Sequence, residues 1–179
     1  MLLIQMTGMS GAGKSTIAQA AQERLVALGY PVEWIDGDVY RQRLCKDLGF
    51  SKADRLENIR RLGAVGLERM QNGVIALLAV INPYEEARAG LSAQSPNVKT
   101  VFIQCPLPIL QQRDTKGLYK RAALPKEHPD YVAHFTGISD PFEPPEQPDL
   151  IIATGTQSVA DSAAELVAFI INNCNYLGA

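Results

Sequence analysis

A glycine-rich loop near the amino terminus constrains the fold of this chain more than any other stretch. Residues 2–7 form a short apolar run, residues 8–15 read G-M-S-G-A-G-K-S, and helix-forming sequence continues to about Leu28. The spacing G-x-x-x-x-G-K-[ST] between a predicted strand and a predicted helix is typical of a phosphate-binding loop. A chance glycine-rich turn before a helix is the alternative, and the flanking strand and helix favour the phosphate-binding loop.

The chemistry of phosphate binding assigns a role to each part of this loop. Glycines at positions 8, 11 and 13 allow positive φ and a close approach of the backbone to an anion. Backbone N–H groups and the positive end of the following helix then face the phosphates. Lys14 can reach the β- and γ-phosphates, and the Ser15 hydroxyl is a hard oxygen ligand suited to Mg²⁺.

The composition excludes several other classes of protein. The 179 residues are 46% hydrophobic and 20% charged, with a net charge of −2, which favours one domain with a real core. Without a basic excess, a nucleic-acid partner is not expected. The longest apolar run, residues 74–81, is too short to span a bilayer. Three widely spaced cysteines without a C-x-x-C pair, and no signal-peptide pattern at the start, predict a cytoplasmic protein.

Short apolar runs alternate with helical patterns along the chain. This alternation predicts an α/β fold of the P-loop NTPase type, a three-layer sandwich with a roughly five-stranded parallel sheet flanked by helices. We expect one domain over residues 1–179. Residues 114–148 lack a periodic pattern, and such a long irregular segment is usually functional, so we predict a lid there. The predicted strands cover residues 2–7, 32–35, 74–80, 98–104 and 150–154.

Two carboxylates follow the second predicted strand in the run Asp36-Gly37-Asp38. In α/β proteins the carboxyl ends of parallel strands line the ligand crevice, which places both near the phosphate loop. The functional interpretation is Mg²⁺ or metal-bound water at Asp36 and a general base at Asp38. The alternative is a turn in which Asp38 is the N-cap of a helix over residues 39–44, and Asp38 could serve both purposes.

Arginines cluster around the start of the next long helix, predicted from Ser51 to about Met70. Arg41, Arg55 and the pair at positions 60 and 61 lie in this region, beside Phe50 in a loop. A solvated charged face is the default for an isolated run of charges. Arginine is nevertheless suited to bidentate phosphate or sulfate recognition, and an exposed phenylalanine can stack on a base.

Taken together, these blocks resemble the adenylylsulfate kinase family, which phosphorylates the 3′-hydroxyl of adenosine 5′-phosphosulfate (APS) from ATP. The likeness spans nearly the whole chain, with three departures: Asn82 stands where the family usually has Ser before Pro-Tyr, Ala133 stands where it often has Lys, and residues 124–131 are longer and richer in Pro than the usual lid. The blocks that carry it are residues 8–15, D-G-D with Arg41, D-L-G-F-S at 47–51, D-R-x-x-N-I-R-R from Asp54, P-Y with Arg88, R-D-x-K-G-L-Y-K from Arg113, and F-T-G-I-x-D-P from Phe135.

The resemblance implies ATP and Mg²⁺ as cofactors and a small-molecule acceptor, with APS expected. A related kinase of another small alcohol or nucleotide, or a nucleotide-binding accessory protein with little catalysis, are the alternatives. Homodimers are the commonest closed assembly, and the sequence leaves the oligomeric state open. The predicted catalytic residues are Lys14 and Asp38; the metal ligands Ser15 and Asp36; the ATP-binding residues Gly8, Ser10, Gly11, Ala12, Gly13, Lys14, Ser15, Thr16, Arg113 and Thr154; and the acceptor-binding residues Asp38, Arg41, Phe50, Arg55, Asn58, Arg88, Lys116, Gly117, Leu118 and Phe135.

Overall fold

A computed structural model describes residues 1–174 of the chain, and residues 175–179 of the predicted domain lie outside the described residues. Within the described part, a central sheet has helices on both of its faces. The strands are β1 (Leu3–Thr7), β2 (Val32–Asp36), β3 (Ile75–Ala79), β4 (Val98–Gln104) and β5 (Leu150–Ala153). The helices are α1 (Lys14–Ala27), α2 (Gly37–Leu44), α3 (Lys52–Gln71), α4 (Glu85–Ser92), α5 (Leu107–Arg113), α6 (Leu118–Ala122) and α7 (Val159–Asn173).

All strand pairs in the sheet are parallel, and the strand order is β2-β3-β1-β4-β5. In the register of the central strands, Met6 of β1 lies opposite Ala79 of β3 and Val101 of β4. Every strand therefore ends at the same edge of the sheet, and the loops that follow β1, β2 and β3 lie side by side. This confirms the predicted fold class, because all the strand pairs are parallel and helices form the connections between successive strands.

The core has two layers, one on each face of the sheet. On one face, α1 and α7 bury residues such as Ile17, Leu25 and Leu166 against β-strand side chains including Leu77. On the other face, α3 and α4 pack on the alternate strand residues through Leu62 and similar side chains. Burial of each such side chain stabilises the fold by about 1.5–3 kcal/mol.

Helix α3 approaches the sheet closely and carries two predicted site residues. Its N-cap is Ser51, whose side chain accepts a hydrogen bond from the Asp54 N–H. A Cβ added at Gly66 would lie 2.6 Å from Leu3 Cδ1, so only glycine allows this helix–strand distance. The first turns of α3 consequently bring Arg55 and Asn58 to the carboxyl edge of the sheet, where both are buried.

The lid segment, residues 114–148, contains α6 and an isolated bridge between Thr136 and Asp140. It packs onto the phosphate loop: the Tyr119 hydroxyl donates to the Ser10 carbonyl at 2.9 Å. The Phe135 ring meets the Tyr119 ring edge-on, with centroids 4.8 Å apart. Among the described residues, none of the helices has both the length and the apolar character that a membrane span requires.

Candidate active site

The phosphate loop begins where β1 ends and leads directly into α1. Gly8 has φ 154°, and a Cβ at this position would lie 2.5 Å from the Ile103 carbonyl oxygen of β4. Any larger residue would push the loop away from the neighbouring strand. The loop backbone therefore follows the sheet edge, and the amino end of α1, which begins at Lys14, faces the space above it.

Backbone carbonyl groups of this loop hold the Lys14 side chain in place. The Lys14 Nζ donates to the carbonyls of Gly8 at 2.8 Å and Met9 at 2.9 Å. The pKa of Lys14 is lowered from 10.5 to about 7, chiefly by burial and also by the positive charge of Lys116, while Asp38 and Asp36 act in the opposite direction. An anion arriving at the loop would supply the negative charge that favours the protonated amine.

Asp36 links the predicted metal site to the start of α2. Its Oδ2 accepts from the Ser15 hydroxyl at 3.0 Å, and its Oδ1 accepts from the N–H groups of Asp38 and Val39. Asp36 is thus the N-cap of α2, and the predicted N-cap role of Asp38 is wrong. The helix begins at Gly37, two residues earlier than predicted, because β2 extends to Asp36 and the next residue is already helical.

The donor set of Ser15 and Asp36 fits Mg²⁺. Both supply hard oxygen atoms, and they lie within hydrogen-bond distance of each other beside the phosphate loop. The part of the chain that the structure describes has no group of three or more His, Cys, Asp or Glu side chains able to hold a metal by themselves. Mg²⁺ differs from metals that need such a cage, because it keeps several waters and takes its remaining ligands from one or two side chains and from phosphates.

Asp38 lies one residue into α2 and points to the lid segment. Its Oδ2 forms an ion pair with the Lys116 Nζ, and both side chains are exposed. A lid cation and a carboxylate of α2 thus meet beside the phosphate loop, which places a proton acceptor and a positive charge at the same point.

An aromatic ring flanked by two guanidinium groups forms the outer wall. Phe50 is 55% exposed, with the Arg41 guanidinium 4.3 Å and the Arg55 guanidinium 5.7 Å from its ring centroid. Arg41 donates to the carbonyls of Leu48 and Gly49. Arg55 is buried and donates to the carbonyls of Phe50 and His134, so its position is fixed by both the loop and the lid segment.

Phosphate loop, carboxylates and aromatic wall enclose one cavity of about 480 Å³, a volume typical of small-molecule sites. The structure brings most of the predicted site residues together on its walls. These are Ser10, Gly11, Gly13, Lys14, Ser15, Thr16, Asp36, Asp38, Arg41, Phe50, Arg55, Asn58, Lys116, Leu118 and Phe135.

Other predicted residues support these walls without lining them. Arg88 is 1% exposed and donates to the Asn82 carbonyl, the Glu143 carbonyl and the Glu85 carboxylate. It therefore braces the loop after β3, where direct substrate contact was predicted. Gly8, Ala12, Arg113, Gly117 and Thr154 also lie off the cavity wall.

Thr154 and Arg113 are connected to the back of the phosphate loop. The Thr154 hydroxyl donates to the Ala12 carbonyl at 2.8 Å, and the Arg113 guanidinium donates to the Thr154 carbonyl at 2.6 Å. The loop after β5 and the end of α5 thereby hold one side of the phosphate loop in place.

Sequence reasoning missed two buried polar side chains on the wall, Asn82 and Thr136. Asn82 Oδ1 and the Thr136 hydroxyl have no hydrogen-bond partner among the described residues, and the same is true of Asn58 Oδ1. The signal for Thr136 was its place directly after Phe135 in the F-T-G-I block. For Asn82, it was the departure from the usual Ser.

The sheet order, the phosphate loop and the lysine within it define a P-loop kinase fold with a lid. The model of the family described as adenylylsulphate kinase matches residues 1–153 of the chain. The chain belongs to the adenylylsulphate kinase family.

Relatives and solved structures agree with this assignment. The adenylyl-sulfate kinase of Synechococcus sp. (strain JA-3-3Ab) is 44% identical over 171 residues, which cover 96% of this chain and 94% of that protein. The structure of the Mycobacterium tuberculosis APS kinase CysC in complex with AMPPNP and APS matches with a TM-score of 0.88 and 35% identity, covering 95% of this chain and 97% of that one. The hexameric APS kinase from Thiobacillus denitrificans matches with a TM-score of 0.67 and 27% identity, over 96% of this chain and 29% of that one.

These findings confirm three predictions made from the sequence. The chain is a member of the predicted family, it has the predicted fold, and it is a phosphotransferase that uses ATP and Mg²⁺ with an alcohol acceptor.

Proposed function

We propose that this chain transfers the γ-phosphoryl group of ATP to the 3′-hydroxyl of adenosine 5′-phosphosulfate, giving ADP and 3′-phosphoadenosine 5′-phosphosulfate. One observation carries the proposal. A phosphate loop with its lysine, two carboxylates and an arginine-flanked aromatic ring line the same cavity. That set matches the needs of phosphoryl transfer to a nucleotide that carries its own anionic group.

ATP occupies the phosphate-loop side of the cavity in this proposal. Backbone N–H groups of residues 10–16 face the phosphates, and Lys14 exchanges its two backbone carbonyls for phosphate oxygens. Ser15 and Asp36 hold Mg²⁺, which supplies charge neutralisation on the phosphates. Arg113 and Thr154 act from behind by fixing the loop.

The acceptor nucleotide occupies the opposite side. Phe50 and Phe135 offer ring surface to its adenine, and base–aromatic stacking contributes about 1–3 kcal/mol per base. Arg41 and Arg55 supply charge for the phosphosulfate, with Asn58 beside them. Lys116 and Leu118 approach from the lid segment, on either side of the turn at Gly117.

Asp38 is the general base of the proposed reaction. The 3′-oxygen forms a bond to the γ-phosphorus as the bond from that phosphorus to the ADP oxygen breaks, and the hydroxyl proton passes to the Asp38 carboxylate. Lys116, which pairs with Asp38 in this structure, is close enough to shift its charge to the transferring group. Positioning and electrostatics by Lys14, Asp38 and Lys116 provide most of the acceleration.

A coupled ADP-release assay with MgATP tests the proposal directly, with APS, AMP or no acceptor in parallel reactions. We expect rapid ADP formation that depends on APS and exceeds the AMP rate by orders of magnitude. Turnover with AMP or another alcohol in preference to APS would identify a related kinase with a different acceptor. ATP binding without acceptor-dependent turnover would identify a nucleotide-binding accessory protein. Either result contradicts the proposal.

We further propose that the enzyme works in the cytoplasm and forms a homodimer. Two buried free cysteines, Cys45 and Cys105, fit a reducing compartment. Light scattering during size-exclusion chromatography at several protein concentrations tests the assembly. A mass of twice 19.5 kDa is expected, and a monomer or a hexamer overturns the dimer.

A further inference from the structure

Asn82 lies deep in the cavity wall, at the point where the chain leaves β3. Its residue surface is 1% exposed, and it has a left-handed backbone conformation with φ 43°. The Asn82 carbonyl accepts from the Thr7 hydroxyl at 3.0 Å and from the Arg88 guanidinium at 2.7 Å. Both backbone and side chain are therefore held in one place, since the amide nitrogen also donates to Gln5 Oε1 at 3.2 Å.

The neighbours of Gln5 decide which way the Asn82 amide faces. Gln5 Nε2 lies 3.1 Å from the Arg88 carbonyl, 3.0 Å from the Thr100 hydroxyl and 2.8 Å from the Ser92 hydroxyl. Because a carbonyl only accepts, the Gln5 atom facing Arg88 must be the nitrogen. Gln5 Oε1 then needs a donor, and the Asn82 Nδ2 is the group that provides it.

Because the Asn82 Nδ2 faces Gln5, the other atom of the amide is Oδ1, which can only accept a hydrogen bond. It is buried and has no hydrogen-bond partner among the described residues. Buried polar atoms are rarely left unpaired, because losing hydration without a replacement hydrogen bond is unfavourable. An amide oxygen on a cavity wall is suited to an N–H or O–H donor and cannot pair with a phosphate or sulfate oxygen.

We propose that Asn82 positions the acceptor nucleotide by accepting one hydrogen bond, through Oδ1, from its nucleoside part; this inference rests on the proposed function. Asn82 follows β3. Strand β2, which carries Asp36, and helix α3, which carries Asn58, lie beside β3. The residues behind the phosphate loop, in contrast, follow β4 and β5. It therefore lies on the acceptor side. Since the 3′-hydroxyl donates to Asp38, the available donors are the exocyclic amino group of adenine and the ribose 2′-hydroxyl.

Two variants separate the side chain from the backbone conformation. Asn82→Gly removes the oxygen, and glycine adopts the left-handed conformation without strain. Both variants lose the Nδ2 donor to Gln5 Oε1, but Asn82→Asp keeps an acceptor oxygen, and aspartate also tolerates that conformation. Turnover of the unsubstituted enzyme with APS is measured first, because its absence would refute the proposed function and not this inference.

The experiment compares KM for APS, for inosine 5′-phosphosulfate and for 2′-deoxyadenosine 5′-phosphosulfate, each with saturating MgATP. With APS, we expect Asn82→Gly to raise the KM about fivefold to tenfold, the scale of one neutral hydrogen bond, and to leave the KM for ATP unchanged. One of the two analogues lacks the donor that faces Asn82. With that analogue, the unsubstituted enzyme and Asn82→Gly should have equal kcat/KM, and this result identifies the donor.

Several outcomes would overturn the inference. They are an unchanged KM for APS in Asn82→Gly, or the same penalty with APS and with both analogues. Asn82→Asp should discriminate between APS and the analogue as the unsubstituted enzyme does. If circular dichroism shows that Asn82→Gly does not fold, Asn82→Asp alone provides the test. Loss of that discrimination in a folded Asn82→Asp also overturns the inference.

Discussion

Lys116 of the lid segment and Asp38 of α2 form an ion pair across 78 positions of sequence. The two side chains are 56% and 72% exposed, and ion pairs this exposed contribute about 0–1 kcal/mol. The pair can therefore break at little cost. In the proposed reaction, a phosphate competes for the lysine, and Asp38 is then free to act as the base.

Asp38→Asn should lower kcat strongly and leave binding of ATP nearly unchanged. Asparagine keeps the shape of the side chain and cannot take up the hydroxyl proton, and loss of a general base costs about 10²–10⁴ in rate. Steady-state kinetics with APS and MgATP measure both constants. Glu23→Gln is the control, because it makes the same carboxylate-to-amide change at an exposed position off the cavity wall. A kcat for Asp38→Asn within threefold of the unsubstituted value would exclude Asp38 as the base.

Nucleotide binding should take up a proton at pH 8. The pKa of free Lys14 is about 7, below its ordinary 10.5, so most of the amine is neutral at pH 8. Bound phosphates favour the charged form and raise that pKa, so the affinity for ATP should fall as the pH rises above 7. Calorimetry in buffers of different ionisation enthalpy measures the uptake.

The control for this pH prediction is Lys14→Met, which removes the titrating group. It should bind ATP without the proton uptake attributed to Lys14, and its turnover should fall by about 10²–10³, the effect of losing one charge-stabilising donor. Equal proton uptake by the two proteins at pH 8 would show that another group titrates.

Phe50→Ala should weaken acceptor binding without destabilising the fold. The ring is 55% exposed, so little buried area is lost, whereas its stacking on adenine contributes about 1–3 kcal/mol. We expect the KM for APS to rise about tenfold or more and the free energy of unfolding to change by less than about 0.5 kcal/mol. Leu44→Ala, an exposed apolar residue off the cavity wall, is the control. Equal KM values for the two variants would rule out stacking on Phe50.

Arg88→Ala should destabilise the protein by about 3 kcal/mol, because it removes a buried charged side chain together with its hydrogen bonds to the Asn82 and Glu143 carbonyls and to the Glu85 carboxylate. Urea unfolding measures this change. Arg60→Ala is the control: Arg60 pairs with Glu57 at an exposed position, and its loss should leave the stability nearly unchanged. Equal stability of the two variants would contradict the bracing role of Arg88.

Local patterns were sufficient for the sheet and for the phosphate loop. Strand β4 has the predicted bounds, because turn residues flank its apolar run at both ends. Arg88 shows what such patterns leave out. Two of its partners are the Asn82 carbonyl and the Glu143 carbonyl, the latter 55 positions away, and only the folded chain reveals these contacts.

The two carboxylates of the D-G-D run illustrate a finer limit. The sequence predicted that both carboxylates lie near the phosphate loop, but it could not distinguish which of them caps α2. The answer depends on where the pairing of β2 with β3 ends, and this pairing extends to Asp36. A side chain that the ladder places last in the strand is the one whose oxygen reaches the first free N–H groups of the helix.

Asp36 also sets a boundary for anyone who redesigns this enzyme. One of its oxygens holds the start of α2 and the other holds Ser15, so any replacement disturbs the helix that carries Asp38 and Arg41 as well as the phosphate loop. A library that seeks a new acceptor can vary the exposed ring at position 50 freely. It must keep Asp36 fixed, since the start of α2 and the proposed metal site depend on this one side chain.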